Sequence, residues 1–409
     1  MSRKIRVCII TYQYPPAYIG GVATATRRIA RNLAAQNVNV HVITPGSMTV
    51  GEDVRSSVED GVVVHRTYPS LSKRSFGNDP DPSELREIGF YIEKLHSEIN
   101  FDLFHGIFAL PPGLVAVLAA RSSNRPVIVS LRGGDIVTTR FDCRMVSTLV
   151  WILEHTDLVT SVTEEYLGMA KQIADIPMST VLPNAFDPTE FVSFRLANAK
   201  GDHSSDLRLF GAMLADLKSR GKCLIGTASV LRRVKGFHHL IEAFAQVHHK
   251  HPHAHLLAVG AVHDKQEAKL WKDRIKELNL ESHITFTGGV AHRYVMPFLK
   301  EMDIYAFPSL YEGSPNSLLE AMGAGLPIVA SDIDGARALI EDRVTGLLVP
   351  PENVDNLAEC LSLLVENEVL RTQLGEAARQ SAQTRFSPSR EVAQWMQEYT
   401  RAIALFEGC

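Results

Sequence analysis

Little in this chain points to nucleic acid, to a disulfide scaffold or to a membrane span. Positive charge is not in surplus: 42 Lys and Arg stand against 46 Asp and Glu, a formal net charge of -4. A domain-wide grip on a polyanion usually needs a basic excess, so nucleic acid is not an expected partner. Cysteines are few. There are five (Cys8, Cys143, Cys223, Cys360 and Cys409), scattered and without a CxxC pair. That pattern excludes a disulfide framework and a zinc ribbon, and it suits a reducing cytoplasm. Long apolar runs are missing as well. The best candidate, Phe108 to Ala120, contains Pro111-Pro112 and covers about a dozen residues where a spanning helix needs about 20. The opening RKIRVCIITYQYPP has a short apolar run and no small-residue cleavage site, so it reads as a first buried strand rather than a signal peptide. No tandem repeat and no low-complexity tract occurs.

What remains is an ordinary globular composition, 45% hydrophobic and 22% charged over 409 residues, long enough for two or three domains. Val7 to Thr11 is a short apolar run. A Pro/Gly-rich loop from Tyr14 to Gly21, a helical pattern from Val22 to Gln36 and the alternating VNVHVIT of Val38 to Thr44 follow. Strand, glycine loop, helix and strand make one right-handed parallel βαβ unit. Further strands are expected at Val62 to Arg66, Leu103 to His105, Val127 to Ser130, Leu158 to Ser161 and Thr180 to Val181. The rhythm breaks over AKGDHSSD, with a short helical pattern from Leu207 to Ser219, and a second series begins at Leu224. Its strands are Leu224 to Ser229, His255 to Gly260, Ile284 to Thr287, Ile304 to Ala306 and Pro327 to Ala330, with helices between.

The expectation is an α/β protein of two doubly wound, Rossmann-like parallel sheets facing a cleft. The boundaries are 1–187 for an N-terminal domain, 188–222 for a linker or insertion, 223–385 for a C-terminal domain and 386–409 for a last helix. The histidine-rich HKHPHAH at His249 to His255 reads as a solvated helix end and strand entry; its spacing is irregular and no closed ligand set accompanies it.

The segment richest in chemistry is YEGSPNSLLEAMGAGLPIVASD from Tyr311. Glu312 and Glu320 lie eight residues apart. Gly313 forms a loop between them, and Pro315-Asn316 starts a helix. Glu312 then sits on the approach loop and Glu320 one turn inside, where each carboxylate can accept from a pair of hydroxyls. The amides of Asn316, Ser317 and Leu318 lie at the helix N-terminus, which favours an anion such as phosphate. Hydroxyl acceptors flanking an anion cradle match a sugar nucleotide; ordinary helix capping is the bland alternative.

This segment, with AMGAGLPIVAS behind it, resembles the retaining GT-B glycosyltransferases of family 4. The likeness runs through nearly the whole chain: YQYPPAYIGGVATATRRIARNLAAQNVNVHVIT, VLPNAFD at Val181 to Asp187, ASVLRRVKGFHHLIEAF, ITFTGGV, DIYAFPSLYEG and TGLLVPPENVDNLA. The resemblance implies a nucleotide-diphosphate sugar donor, UDP- or GDP-linked, bound by the second domain (223–385), with the first domain (1–187) on the acceptor side and the last helix, 386–409, crossing back to the first domain. Glu320 would accept the ribose hydroxyls, and Glu312 would contact the transferred sugar. The amides near Asn316, Ser317 and Leu318 would hold the pyrophosphate or the sugar, and the backbone near Val290 the base. Lys235 would lie on the pyrophosphate, with Arg232 as a second cation. Gly20 and Gly21 would let the first domain's chain pass close to the substrates, since no Cβ intrudes. His105 matches a first-domain position of the family. Arg132 stands where many members carry histidine, and Asp135 follows in the same loop; these three belong to the acceptor or sugar side, with pairing of Asp135 to Arg132 and a structural His105 as the plainer readings.

The implied activity is transfer of a sugar to an acceptor hydroxyl with retained anomeric configuration, in cell-envelope polysaccharide, glycolipid or related glycoconjugate synthesis. The acceptor is a sugar, a lipid or a small molecule. The implied setting is cytoplasmic, compatible with peripheral contact at the inner membrane face. No cofactor beyond the donor and no metal is expected: Lys235 and Arg232 supply positive charge, and Asp332-Ile333-Asp334 reads as a loop beyond the nucleotide helix. Two alternatives use the same donor, a GT-B nucleotide-sugar epimerase and a non-catalytic nucleotide-sugar-binding module. A nicotinamide dehydrogenase is disfavoured, because the first loop ends in Gly20-Gly21 with no third glycine.

Overall fold

The computed structural model describes residues 4–17, 20–47, 52–71, 81–192, 196, 204–262 and 264–408. The chain divides into two units: Met1–Asn184 with Pro388–Cys409, and Ala185–Ser387.

The first unit is built on an eight-stranded sheet. Its strands are β1 (Arg6–Thr11), β2 (Asn39–Pro45), β3 (Arg55–Glu59), β4 (Val62–Thr67), β5 (Leu103–Ile107), β6 (Val127–Leu131), β7 (Leu158–Ser161) and β8 (Ser179–Val181). They lie in the order β3-β4-β2-β1-β5-β6-β7-β8. Central strands such as VCIIT and VIVSL are buried on both faces, which is why they read as unbroken apolar runs rather than as alternation. Only β3 is antiparallel. Asp60 and Gly61, both at positive φ (51° and 81°), close the two-residue turn that leads into β4. The sequence reading did not include β3: four of its residues RSSVE are polar and, apart from half-buried Glu59, all are exposed, Val58 included, so it carries no apolar run.

The C-terminal helix Pro388–Glu407 belongs to this first unit. Trp395, Tyr399 and Ala402 join Val7, Ile9 and Leu103 in one core. Arg28, in the helix Gly21–Ala35, makes a two-point ion pair with Glu391, both bonds at 2.9 Å. Both residues are nearly inaccessible (2% and 5%).

The second unit carries a six-stranded parallel sheet. Its strands are β9 (Cys223–Ala228), β10 (Ala254–Val259), β11 (Ile284–Phe286), β12 (Ile304–Phe307), β13 (Ile328–Ser331) and β14 (Leu347–Val349), in the order β11-β10-β9-β12-β13-β14. The stretch 188–222 is not a separate linker. Its described part is built into this unit: Leu207 and Leu214 of the helix Ser204–Ser219 are core residues, and Phe210 meets Phe298 edge-on at 5.7 Å. Most of AKGDHSSD lies outside the described residues.

Each sheet has one point where the chain changes direction, between β1 and β5 in the first and between β9 and β12 in the second. The carboxyl ends of the strands at such a point are the usual ligand position in doubly wound sheets.

Candidate active site

In the second unit the loops at that point are those after β9 and β12. They carry Arg232-Arg233-Val234-Lys235 and Leu310-Tyr311-Glu312-Gly313. Gly236 sits at φ 67° directly against Pro308, where a Cβ would collide with the Pro308 carbonyl. The Leu310 N–H donates to the Val234 carbonyl at 2.9 Å. Those two contacts hold the loops together, and the Lys235 ammonium donates to Glu312 Oε1. Both side chains stay partly open to solvent. Gly335 lies just as close under the loop, so that a side chain there would strike the carbonyls of Glu312 and Gly313.

Glu320 lies one turn into the helix Asn316–Ala324 and is 7% exposed. Its Oε1 accepts from His292 Nε2 at 2.8 Å, and His292 in turn packs on Phe191, 4.9 Å between ring centres. The helix has Pro315 at its N-cap and no side-chain cap. Of the three amides expected to hold an anion, Leu318 is occupied: its N–H donates to the Pro315 carbonyl at 3.1 Å. This corrects the expectation for Leu318, because a turn that tightens onto its own cap uses the donor internally. Asn316 and Ser317 begin the helix beside it.

Arg232 is exposed and takes part in no ion pair among the described residues. Arg233 is directed elsewhere. Its backbone N–H donates to Glu267 Oε1 at 3.0 Å, and it lines a small cavity of about 190 Å³ with His238 and Trp271. Val290 borders a larger, mainly apolar cavity of about 630 Å³, shared with Thr287, Gly289, Tyr294 and Phe210.

In the first unit, Gly20 precedes the helix Gly21–Ala35 with an extended backbone, and a Cβ there would meet nothing within 4 Å. The fold therefore does not itself require glycine at position 20. His105 has a different place from the one expected of a substrate-facing group. It is fully buried; its Nδ1 faces the Tyr399 hydroxyl at 2.8 Å, and its Nε2 faces the Ser130 hydroxyl at 2.7 Å. Burial, with the Arg132 charge adding to it, pushes its pKa down to about 3. With both ring nitrogens bonded, His105 ties the C-terminal helix to β6 and leaves nothing for an acceptor.

Asp135 also turns inward. Its carboxylate accepts from the backbone N–H groups of Ala109 (2.9 Å), Arg132 (3.1 Å) and Gly133 (2.8 Å). Burial raises its pKa, opposed by those amides. It shapes the loop after β6 and pairs with the backbone of Arg132, not with its guanidinium. Arg132 itself donates from Nη1 to Asn184 Oδ1 at 3.2 Å.

Sequence reasoning missed His292. A lone histidine in GGVAHRY carries no periodic or spacing signal, and only the fold shows it against Glu320. Among the described residues, no group of three or more His, Cys, Asp or Glu could hold a metal ion. No described helix is long and apolar enough to cross a membrane.

Comparison with known proteins agrees with this layout. The family model for glycosyltransferase family 4 matches residues 19–190, and that for glycosyl transferases group 1 matches residues 215–381. N-acetyl-alpha-D-glucosaminyl L-malate synthase of Bacillus anthracis is 24% identical over 396 residues, covering 96% of each chain. Among solved structures, a sucrose-phosphate synthase from Thermosynechococcus elongatus superposes with a TM-score of 0.76 at 20% identity, over 98% of this chain and 100% of its own. The Anabaena protein HepE, solved with UDP and glucose, gives 0.74 at 20% identity over 97% of this chain and 100% of its own. With the two family models together spanning most of both units, and the lysine and paired glutamates standing at the switch point of the second sheet, the chain belongs to the GT-B glycosyltransferases of family 4.

Proposed function

We propose that this glycosyltransferase moves a sugar from a UDP-sugar to an acceptor hydroxyl with retention of anomeric configuration, in envelope polysaccharide or glycolipid synthesis at the cytoplasmic face of the membrane. The observation that carries the reading is the meeting of Lys235 with Glu312 at the carboxyl ends of β9 and β12. One cation and one hydroxyl acceptor stand there, on loops beside the start of the helix that carries Glu320. HepE, whose structure holds UDP and glucose, supports uridine as the base.

In this reading the donor's diphosphate displaces Glu312 from Lys235. Lys235 and Arg232 then face the oxygens on which negative charge grows as the bond from the anomeric carbon to the phosphate oxygen breaks. Donors already in position when charge develops are the most effective stabilisers. The amides of Asn316 and Ser317 add to them, and Glu312, released, accepts from hydroxyls of the sugar. Glu320 accepts from the ribose through Oε2, which has no partner among the described residues, while His292 holds Oε1. Val290 meets the base. The first unit, with Gly20 and Gly21 at the start of its glycine loop helix, takes the acceptor. The acceptor oxygen attacks the anomeric carbon on the face the diphosphate leaves, and a departing phosphate oxygen receives the acceptor proton. The bond is thus replaced on the same face and the configuration is kept.

A melting-temperature screen of nucleoside diphosphates and their sugars identifies the donor, since a ligand that binds the native state raises the transition. Proton NMR of the product from that donor and an acceptor library then gives the anomeric coupling. An inverted product rules out the proposed geometry. Absence of any nucleotide-dependent shift rules out the donor site.

A further inference from the structure

Arg132 is a half-buried cation with no ion-pair partner among the described residues. It leaves the carboxyl end of β6, and within the first unit β5 and then β1 lie beside that strand, so it shares the sheet end from which the Gly20 loop departs. Two carboxylates lie close enough to act on it, Glu391 and Asp135. Glu391 is held at two points by Arg28. Asp135 has both oxygens on backbone N–H groups. The guanidinium is left with a single neutral contact, Nη1 to Asn184 Oδ1, and its inaccessible Nε–H has no acceptor at all. Among the described residues it forms no ion pair. Burial, with repulsion from a second cation, Arg28, added to it, brings the Arg132 pKa down to about 10.

An arginine partly withdrawn from water, with its Nε–H unpaired and no counter-ion, is costly, because a desolvated charge needs a partner of opposite sign. The fork geometry matches a carboxylate or a phosphate at two points. We infer that Arg132 is a specificity-determining residue that selects a substrate bearing a carboxylate or phosphate, and that this anion completes the guanidinium when the substrate is bound on the first unit. The inference rests on the glycosyl-transfer reading above and narrows its substrate class. The anion belongs either to the acceptor or to the transferred sugar, and the test separates the two.

The experiment uses the full chain, wild type and Arg132→Gln, with Arg132→Lys as a variant that keeps charge and loses the fork. Calorimetry measures UDP first. The donor arm then compares UDP-glucuronate with UDP-glucose. The acceptor arm, with UDP present, compares glycerol 3-phosphate with glycerol. The expected result is at least a tenfold preference of wild type for the charged member of one arm. Arg132→Gln abolishes that preference and Arg132→Lys reduces it, while UDP affinity stays within twofold for all three. Preference in the donor arm places the anion on the sugar, and preference in the acceptor arm places it on the acceptor. A wild type indifferent to charge in both arms, or a preference that survives Arg132→Gln, overturns the assignment of Arg132. Loss of UDP binding in the wild type instead overturns the donor reading, so the two failures are distinct.

Discussion

Lys235 reaches Glu312 because the turn before Gly236 is pressed onto Pro308 and the Leu310 N–H is bonded to the Val234 carbonyl. The pair is partly exposed, at 25% and 18% of the side-chain surfaces, and such pairs contribute at most about 1 kcal/mol to stability. Its loss is therefore felt in chemistry and not in folding. Lys235→Ala is expected to lower kcat by about 10²–10³, the usual effect of removing one preorganised donor. Its urea midpoint should match wild type within about 1 kcal/mol. Normal turnover in Lys235→Ala would show that the diphosphate is neutralised elsewhere.

Two glycines with similar sequence settings should respond in opposite ways. Gly236 has φ 67° and its missing Cβ would overlap the Pro308 carbonyl. Gly236→Ala must move one of the two loops and should cost about 1–3 kcal/mol in stability as well as activity. Gly20 is extended and has open space where a Cβ would sit. Gly20→Ala should leave stability within about 0.5 kcal/mol. If substrate passes close to that backbone, the variant raises KM; steady-state kinetics beside a denaturation curve checks both parts. Equal stability losses in the two variants would contradict the contrast.

Most of the architecture was readable because parallel strands are short apolar runs separated by helical periodicity. The two strands that were not read are explained by their settings. β3 is a polar edge strand whose only signal is Asp60-Gly61. β14, three residues followed by Pro350-Pro351, is too short to stand out in TGLLVPP. In the candidate site, the loop and helix positions of Lys235, Glu312 and Glu320 were legible because each is followed or preceded by the residues that shape its loop. For His105 a structural role was the plainer reading, but a strand pattern says only that a residue is inside and not which neighbours take its ring nitrogens. His292 depends on a contact with Glu320 that no local pattern encodes.

Acid should weaken the fold before the carboxylates titrate. His41 and His65 are buried neutral, with His41 Nδ1 and His65 Nε2 at 2.9 Å and His65 Nδ1 facing the hydroxyls of Ser56 and Tyr91 at 2.8 Å. Burial pushes both pKa values down to about 4, with His41 adding to the effect on His65. The unfolded chain, with histidines near 6.5, takes up protons first as pH falls. Stability is full above about 6.5 and is lost down to about 4, by up to about 1.4 kcal/mol per pH unit for each such histidine. His255, also pushed to about 4, acts in the same direction. Urea midpoints at pH 7, 6 and 5 should decline, and His65→Gln should make the decline shallower. A flat profile between pH 6.5 and 4.5 would contradict the neutral, buried assignment.

The Arg28–Glu391 pair anchors the C-terminal helix to the first unit, and its two ends should not be equivalent. Removing one member of a buried pair strands the other charge, typically at about 3–5 kcal/mol. Here Arg132 lies within range of both, lowered by Arg28 and raised by Glu391. Arg28→Met leaves Glu391 beside a remaining cation, so part of the loss is recovered. Glu391→Gln leaves Arg28 without its partner and the repulsion between Arg28 and Arg132 unopposed, and it should be the more destabilising of the two. The double variant Arg28→Met/Glu391→Leu removes both charges and should recover most of the single losses, since an apolar pair of similar volume can match a buried ion pair. A double-mutant cycle by urea unfolding measures all three, and hydrogen exchange should show the helix Pro388–Glu407 losing protection first in Glu391→Gln. Should Arg28→Met prove the weaker protein, the electrostatic coupling to Arg132 is too small to order them, and packing of the long arginine stem decides instead.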